Sequence, residues 1–425
     1  MQDMGALLPE LWAALSLSGA GAASGCPFAS AARAYTGAQA AAALLRARLP
    51  WAARMQLAGA AALLAAALLA PLRRLPPGAA RAAAALPLLV PVNLVIPLLF
   101  DPRSEIISRA VSAASFAWMA NCKVAAFCLG RGALAAQEWG LLRSALICAL
   151  PIVPRQRGAA GKAGRLGDSA GAPGAVAARF AGYCGFLLVM MWVLAQPLPP
   201  IVIHWVSAYG LYAFVSAVMG GPALLLGLIG LEVVPPFDRP WLSTSLADFW
   251  GRRWNNSIGQ TLRCLTYDPI VEGRLVAAGG GDSRIAAAGA GAKAAGSSAG
   301  GGGGGAWRRG LGMALTFVAS GLFHELLFWY VSLPYTWGMS SFFFAQIPLV
   351  LLETAAVRAL AGRAPPAPLR IALVQVALLA TAHAWFFPPL DHADTTAKFT
   401  AAVVENGRAL AAAVARGTAA VGVAL

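Results

Sequence analysis

Phe317-Val-Ala-Ser-Gly-Leu-Phe-His-Glu-Leu-Leu-Phe-Trp-Tyr330 sets a histidine and a carboxylate, His324 and Glu325, midway through an apolar stretch. Extended back to residue 309, the run is long enough to cross the bilayer, whose ~30 Å of hydrocarbon takes about 20 helical residues. Comparable runs lie near 52–71, 83–100, 106–130, 138–154, 180–200, 203–232, 340–360 and 369–387. With 309–331 they predict about nine spans, within a range of eight to ten. Composition agrees: 425 residues, 59% hydrophobic and only 12% charged, against roughly 25% charged in a soluble domain. A soluble enzyme of this balance would expose too much apolar surface. Its 46 Gly and 28 Pro fall short of the fraction that marks a disordered chain. The fold class expected is an all-α polytopic membrane protein.

Lys and Arg number 32 against 17 acids, a net charge of +15. In a polytopic chain such an excess belongs to cytoplasmic loops and to contact with anionic membrane lipids. No basic stripe interleaved with aromatics and no zinc-finger spacing supports nucleic acid as a partner. The six cysteines form no CxxC pair and read as small buried hydrophobes rather than a disulfide framework or metal site. Residues 1–50 read as an Ala-rich leader without a secretory signal. The acid-free, Arg-bearing stretch 11–100 leaves an organelle transit peptide as the alternative.

Five regions follow: the leader 1–50, N-terminal spans over 51–154, a basic loop at 155–179, a catalytic region at 180–390, and a tail at 391–425. Within the fourth, 276–306 is a Gly-rich insertion with no means of packing a core, and like the basic loop it is expected to be flexible. Basic content assigns 155–179 and 233–308 to the cytoplasmic side. Under a nine-span order Arg73, Arg74 and Arg81 do not fit that parity. Trp51, Trp139, Trp307, Trp329, Tyr330, Tyr335 and Trp337 suit an interfacial belt.

Standard catalytic signatures are missing. His324-Glu325-Leu-Leu-Phe328 has Phe where a zincin needs its second His, the Gly158–Lys162 stretch is too short for a P-loop, and there is no G-x-S-x-G elbow. Two polar constellations remain. In Ser245-Leu-Ala-Asp-Phe-Trp-Gly-Arg-Arg-Trp-Asn255, Ser245 and Asp248 form a capping box that should start a helix at Leu246. Helical spacing puts Asp248, Arg252 and Asn255 on one face, with Ala247, Trp250 and Trp254 opposite. This is either an amphipathic helix on the membrane surface or a polar face turned into a cavity. Asn255-Asn256-Ser257 also matches a glycosylation sequon, which would stay unmodified on the cytoplasmic side.

The second constellation is the opening stretch. A carboxylate at bilayer depth costs about 2.5–3.5 kcal/mol, so Glu325 and its neighbour His324 should line a cavity or be paired. Ser320 and Phe328 share the face of His324, which suggests a narrow channel. His204, His383 and His392 read as structural or solvated.

These two stretches resemble the plant-type wax synthases, long-chain-alcohol O-fatty-acyltransferases of the membrane-bound O-acyltransferase superfamily. Ser245–Asn255 and Ser320–Phe328 carry the resemblance, with a softer match at Trp118-Met-Ala-Asn-Cys-Lys123; the matches spread over about 100–390. The Gly-rich insertion and the longer basic loop depart from the pattern without touching matched residues. The resemblance implies a helix bundle around a catalytic tunnel, with His324 as catalytic base and Asn255 as its partner across the tunnel, the latter on a cytoplasmic amphipathic helix. It implies a fatty acyl-CoA donor, a long-chain alcohol or other hydroxylated lipid as acceptor, and the endoplasmic reticulum membrane.

The chemistry agrees with the residues. The acceptor hydroxyl loses a proton as it attacks a thioester, and imidazole suits that task near neutral pH. Asn255 can donate an N–H to the charge that develops. Arg252 and Arg253 face either CoA phosphates or lipid headgroups. Glu325, Trp254, Asp248 and Ser320 support the site, with Glu325 orienting the acceptor or the local network. A thioester donor needs neither metal nor redox cofactor. Diacylglycerol or sterol acceptors, or a lipid transporter or scaffold without chemistry, are the alternatives.

Overall fold

The computed structural model describes residues 27–155, 173–277, 304–333, 336–360 and 365–405, with isolated positions at 9, 10, 13, 363, 407 and 408. Most of the basic loop, the Gly-rich insertion and the leader before residue 27, and the tail beyond 408, lie outside the described residues. The regular structure among them is helical, apart from one bridge between Pro154 and Val233.

Among the described residues, eight helices are long and apolar enough to cross a membrane. After a first helix α1 (Pro27–Arg48) come α2 (Trp51–Leu72), α3 (Ala79–Leu99) and α4 (Ile106–Ala136). A short α5 (Leu141–Ala149) precedes α6 (Gly174–Leu194) and α7 (Pro200–Leu228). The polar motif follows, ending in α8 (Asn256–Leu262). Then come α9 (Gly305–Tyr330), α10 (Gly338–Ala359) and α11 (Ala367–His392). The helical part of the expected leader, α1, is held by Ala42 in a core with Leu98, Phe100, Ala117 and Tyr330.

The ninth expected span, 138–154, is not one. α5 has nine residues, about 13 Å at 1.5 Å per residue, too short for hydrocarbon. Lys123, buried in α4, explains where it stops: its Nζ donates to the carbonyls of Ile147 and Leu150, both at 2.6 Å. Ile147, Cys148 and Ile152 then join Leu69, Leu89 and Val124 in one core. Removing this span resolves the parity conflict. The turn between α2 and α3 lies beside the end of α4, where Gly78 N donates to Cys128 O (2.8 Å) and Ala277 N to Leu129 O (3.0 Å). Arg155 N donates to Glu232 O (2.9 Å) at the same end. Arg73, Arg74 and Arg81 therefore share one end of the bundle with the segments around 155 and 233–277.

The opposite end is tied by Arg54, whose fork meets Glu105 at 2.7 Å on both oxygens. Beside it, Arg109 donates to Tyr330 O, Pro97 O and Phe100 O at 2.8–2.9 Å. Tyr330, expected in the interfacial belt, is buried, and its hydroxyl donates to Leu94 O. Glu105 precedes α4. Burial works against its ionisation, yet hydrogen bonds from Arg54 and the Asp101 N–H hold its carboxyl below the usual range.

The α9–α10 pair needs a close approach: a Cβ at Gly321 would stand 3.0 Å from Ser340 Cα. Glycine at 321 lets the two backbones meet.

The eight-span order fixes which loops share a side. In sealed vesicles, single cysteines at Leu75 and Glu232 should react with a membrane-impermeant maleimide from one side, and a cysteine at Ser104 from the other. Labelling of Leu75 and Ser104 from the same side would refute this order.

Candidate active site

A cavity of about 1570 Å³ opens among the polar motif, α9 and α10. It exceeds the ~300–1,000 Å³ usual for one small ligand. Along α9 its wall is Arg309, Gly310, Met313, Thr316, Phe317, Ser320 and His324, a stripe at helical spacing. Fifteen residues separate Arg309 from His324, so the stripe descends about 22 Å.

His324 stands at the deep end. Its Nδ1 is 2.7 Å from the Ser320 carbonyl; a carbonyl only accepts, so Nδ1 carries the proton and Nε2 keeps a lone pair. Trp118 meets the imidazole edge-on at 4.9 Å between centroids, and Phe343 lies at 4.4 Å. Trp118 also stacks on Phe323 at 5.3 Å. The softer Trp118 match in the sequence thus lands against His324.

The polar motif folds back on itself rather than forming one surface helix. Ser245 caps as expected, its hydroxyl accepting from Asp248 N at 2.8 Å. Leu246–Asp248 and the wider turn Phe249–Arg253 follow, and the helix then breaks. Asp238 N donates to Arg253 O (2.9 Å) and Asn256 N to Pro236 O (2.7 Å), closing the loop. Asn255, expected on the helix face with Asp248 and Arg252, instead sits at the break with φ 44° and ψ 58°. Asparagine is among the few residues that adopt this left-handed conformation readily.

The Asn255 side-chain oxygen caps α8, accepting from Ile258 N at 3.4 Å. Its Nδ2 has no partner among the described residues, and Asn255 lines the same cavity as His324. The sequon at Asn255 therefore lies in the cavity wall. Arg239, also lining it, has φ 44° as well. Backbone strain of this kind collects at functional sites.

Asp248 is the electrostatic centre of the motif. Buried, it accepts from Arg252 Nε (2.9 Å) and Arg253 Nε (2.8 Å). Arg253 also reaches Asp238 O at 3.2 Å, while the Arg252 side chain stays half exposed. Trp254 stacks on Phe249 at 5.2 Å. Sequence reasoning did not single out Arg239, Arg263, Arg309 and Arg358, which line the cavity with Arg252 and Arg253. Arg263 pairs with Asp268 at 3.0 Å, although burial leaves the Asp268 carboxyl above its usual value. Among the described residues no group of His, Cys, Asp or Glu could hold a metal ion.

Glu325 does not face the cavity. It is buried, and its carboxylate accepts from Ser340 N at 3.1 Å, at the start of α10, where a helix favours negative charge. Glu353, which sequence reasoning passed over, does the same for the motif, accepting from Leu246 N at 2.9–3.0 Å. His204 and His383 meet at the far end through their Nδ1 atoms, 2.7 Å apart, with His204 Nε2 on Asp391 at 2.7 Å. His392 bonds Pro388 O. None of these three lines the cavity.

Among the described residues, then, a helical multi-pass bundle holds a polar loop folded into a deep cavity against a span-borne histidine. Residues 233–346, which carry Asn255, His324 and the walls between them, match the model of the membrane bound O-acyl transferase family. The chain is 25% identical over 297 residues to the long-chain-alcohol O-fatty-acyltransferase of Simmondsia chinensis, covering 68% of this chain and 77% of that protein. It is 30% identical over 148 residues to the probable long-chain-alcohol O-fatty-acyltransferase 9 of Arabidopsis thaliana, covering 34% of this chain and 36% of that one. It is 27% identical over 258 residues to acyl-CoA–sterol O-acyltransferase 1 of Arabidopsis thaliana, covering 60% and 66%. The chain thus spans about a third of the first Arabidopsis relative's length, about three quarters of the Simmondsia protein and just under two thirds of the sterol acyltransferase.

The cap on α10 makes a direct prediction. Glu325→Gln keeps an acceptor for Ser340 N, whereas Glu325→Ala leaves a buried N–H unpaired, at a cost of about 1–3 kcal/mol. Thermal unfolding in nanodiscs should rank wild type and Gln above Ala. Equal stability of the two variants would mean the carboxylate has another task.

Proposed function

We propose that the protein transfers a fatty acyl group from acyl-CoA to the hydroxyl of a long-chain alcohol, forming a wax ester. What supports this most is the division of labour within one cavity. Six arginines gather towards the end where the polar motif enters, and an imidazole with an unspent lone pair stands about 22 Å further in. A donor with a phosphate-bearing head and a thioester on a long arm fits that separation. Arg252 and Arg253, ordered by Asp248, and Arg239, Arg263, Arg309 and Arg358 meet the phosphates; guanidinium forks suit them. A cavity of this volume has room for two chains.

In the reaction His324 Nε2 takes the proton from the alcohol as its oxygen attacks the thioester carbonyl. The carbon–sulfur bond breaks, and the proton passes to the departing thiolate, so no net proton is released. Held by the Ser320 carbonyl, Nδ1–H keeps the ring in the tautomer that leaves Nε2 free. General-base help of this kind is worth about 10²–10⁴ in rate. The free Nδ2 of Asn255 donates to the negative charge on the reacting oxygen or sulfur. Ser320 acts through its backbone, Trp254 as a wall, and Glu325 by fixing α10.

By the positive-inside rule the arginine-rich end faces the cytoplasm, where acyl-CoA is available, and the endoplasmic reticulum is the membrane that suits this reading. A sterol acceptor is the second reading, favoured by the relative named for that activity; diacylglycerol would use the same His324 and Asn255. A transporter or scaffold predicts no ester at all.

Microsomes given labelled acyl-CoA and a panel of fatty alcohols, sterols and diacylglycerol should yield wax esters, and His324→Ala should abolish them without loss of membrane insertion. Asn255→Asp keeps the capping oxygen for Ile258 N but loses the N–H donor, so kcat should fall about 10²–10³-fold. Near-normal turnover of His324→Ala would overturn the base. An effect of Asn255→Asp confined to KM would make Asn255 a binding residue, and sterol esters alone would select the second reading.

A further inference from the structure

Gln346 is a carboxamide with no exposure at all, inside a membrane span. Its Nε2 donates to Phe342 O and Thr381 Oγ1, both at 3.2 Å, and its Oε1 accepts from the Trp250 indole N–H at 3.2 Å. An indole N–H can only donate, so the orientation of the amide is determined by its partners. One buried side chain thus ties α10, α11 and the polar motif together.

Trp250 is the cavity-facing end of this network. Its ring is held edge-on by Phe249 (4.9 Å), Phe317 (5.7 Å) and Phe342 (6.0 Å), and tilted against Phe343 at 5.7 Å. Phe343 in turn lies on His324. Trp250 therefore backs the wall against which any chain reacting at His324 must end or turn. If the indole swung away, its N–H would lose its partner in an apolar surround, which is expensive.

We propose that Trp250 sets the chain-length limit of the cavity and that Gln346 is the positioning residue that keeps it there. This rests on the reading that the cavity takes aliphatic chains. Trp250→Phe drops the N–H and part of the ring while keeping an aromatic wall; Gln346→Leu keeps bulk and removes the acceptor. Each frees the wall to yield.

The test uses the full chain in nanodiscs with a ladder of saturated alcohols and one acyl-CoA, measuring kcat/KM at each length. Both single variants should move the optimum to longer alcohols. Beyond the wild-type limit they should gain about fourfold for each added methylene, the transfer value of one buried CH₂. The double variant should move it no further than the larger single change, because both substitutions break one contact. A merely structural role for Gln346 would lower kcat/KM at every length without moving the optimum, and that result, or additive shifts, would overturn the proposal. Should Gln346→Leu fail to fold, Trp250→Phe alone decides, and an unmoved optimum refutes it.

The same ladder is read as competition against labelled acyl-CoA. Wild type that esterifies no alcohol but shows a binding cutoff moved by Trp250→Phe would sink the wax-ester reading and leave the Trp250 assignment standing. No cutoff in either readout would sink the Trp250 assignment.

Discussion

Hydrocarbon offers no hydrogen bonds, so every backbone group left open at a helix end must find its partner inside the protein. This chain meets that constraint with charges. Buried cations take the carbonyls: Lys123 those at the end of α5, Arg109 those at the ends of α3 and α9, and Arg81 those of Arg73, Leu75 and Phe127. Carboxylates take the amides, buried Glu325 at the start of α10 and half-buried Glu353 at the start of the polar motif. Both signs follow the helix dipole. Any of these charges left alone would be costly to bury; each becomes tenable because the polar group opposite it would be costly too.

The site is a product of the same constraint. Asn255 is a cap first: it occupies the left-handed break and its oxygen is spent on α8. What remains is a single amide donor facing the cavity. His324 likewise spends Nδ1 on its own helix and keeps Nε2. Each group is rigid because half of it is already committed to structure. On the proposed function, that is how a reactive atom is held in a water-poor setting without reorganising when charge develops.

The sequence made much of this legible and left the rest obscure for identifiable reasons. His324, the capping box at Ser245 and the Trp118 stretch stand out because polar residues in apolar runs are rare and their spacing is local. The break at Asn255 was not readable, since helical periodicity continues through it; only the tolerance of asparagine for positive φ hints at it. Residues 138–154 pass as a span on hydropathy alone. Their nine-residue helix depends on Lys123, some 25 residues earlier, and a cap supplied from another helix leaves no local trace. Glu325 looked like chemistry because a carboxylate at depth demands an explanation, and the explanation is an N–H fifteen residues further on. The arginines suffered the same misreading in reverse. Their excess suggested loops and headgroups, whereas Arg54, Arg81, Arg109 and Arg131 are buried.

Dropping one span does more than correct a count. With eight, the turn after α2, the end of α4, the segment around 155 and the polar motif fall at one end of the bundle, and their arginines gather with those that line the cavity. A charged ligand approaching from water meets that end first. A lipid ligand is delivered by the bilayer itself and never has to leave it. The histidine sits near the far end of α9, six residues short of Tyr330, or about 9 Å. On the proposed function, a water-borne head stays at the mouth while its tether carries the reacting carbon down the α9 stripe. On that same proposal, the depth of the imidazole selects for a donor whose charge and reactive bond are far apart, and a compact acyl donor that filled the mouth would leave its reactive carbon out of reach of Nε2.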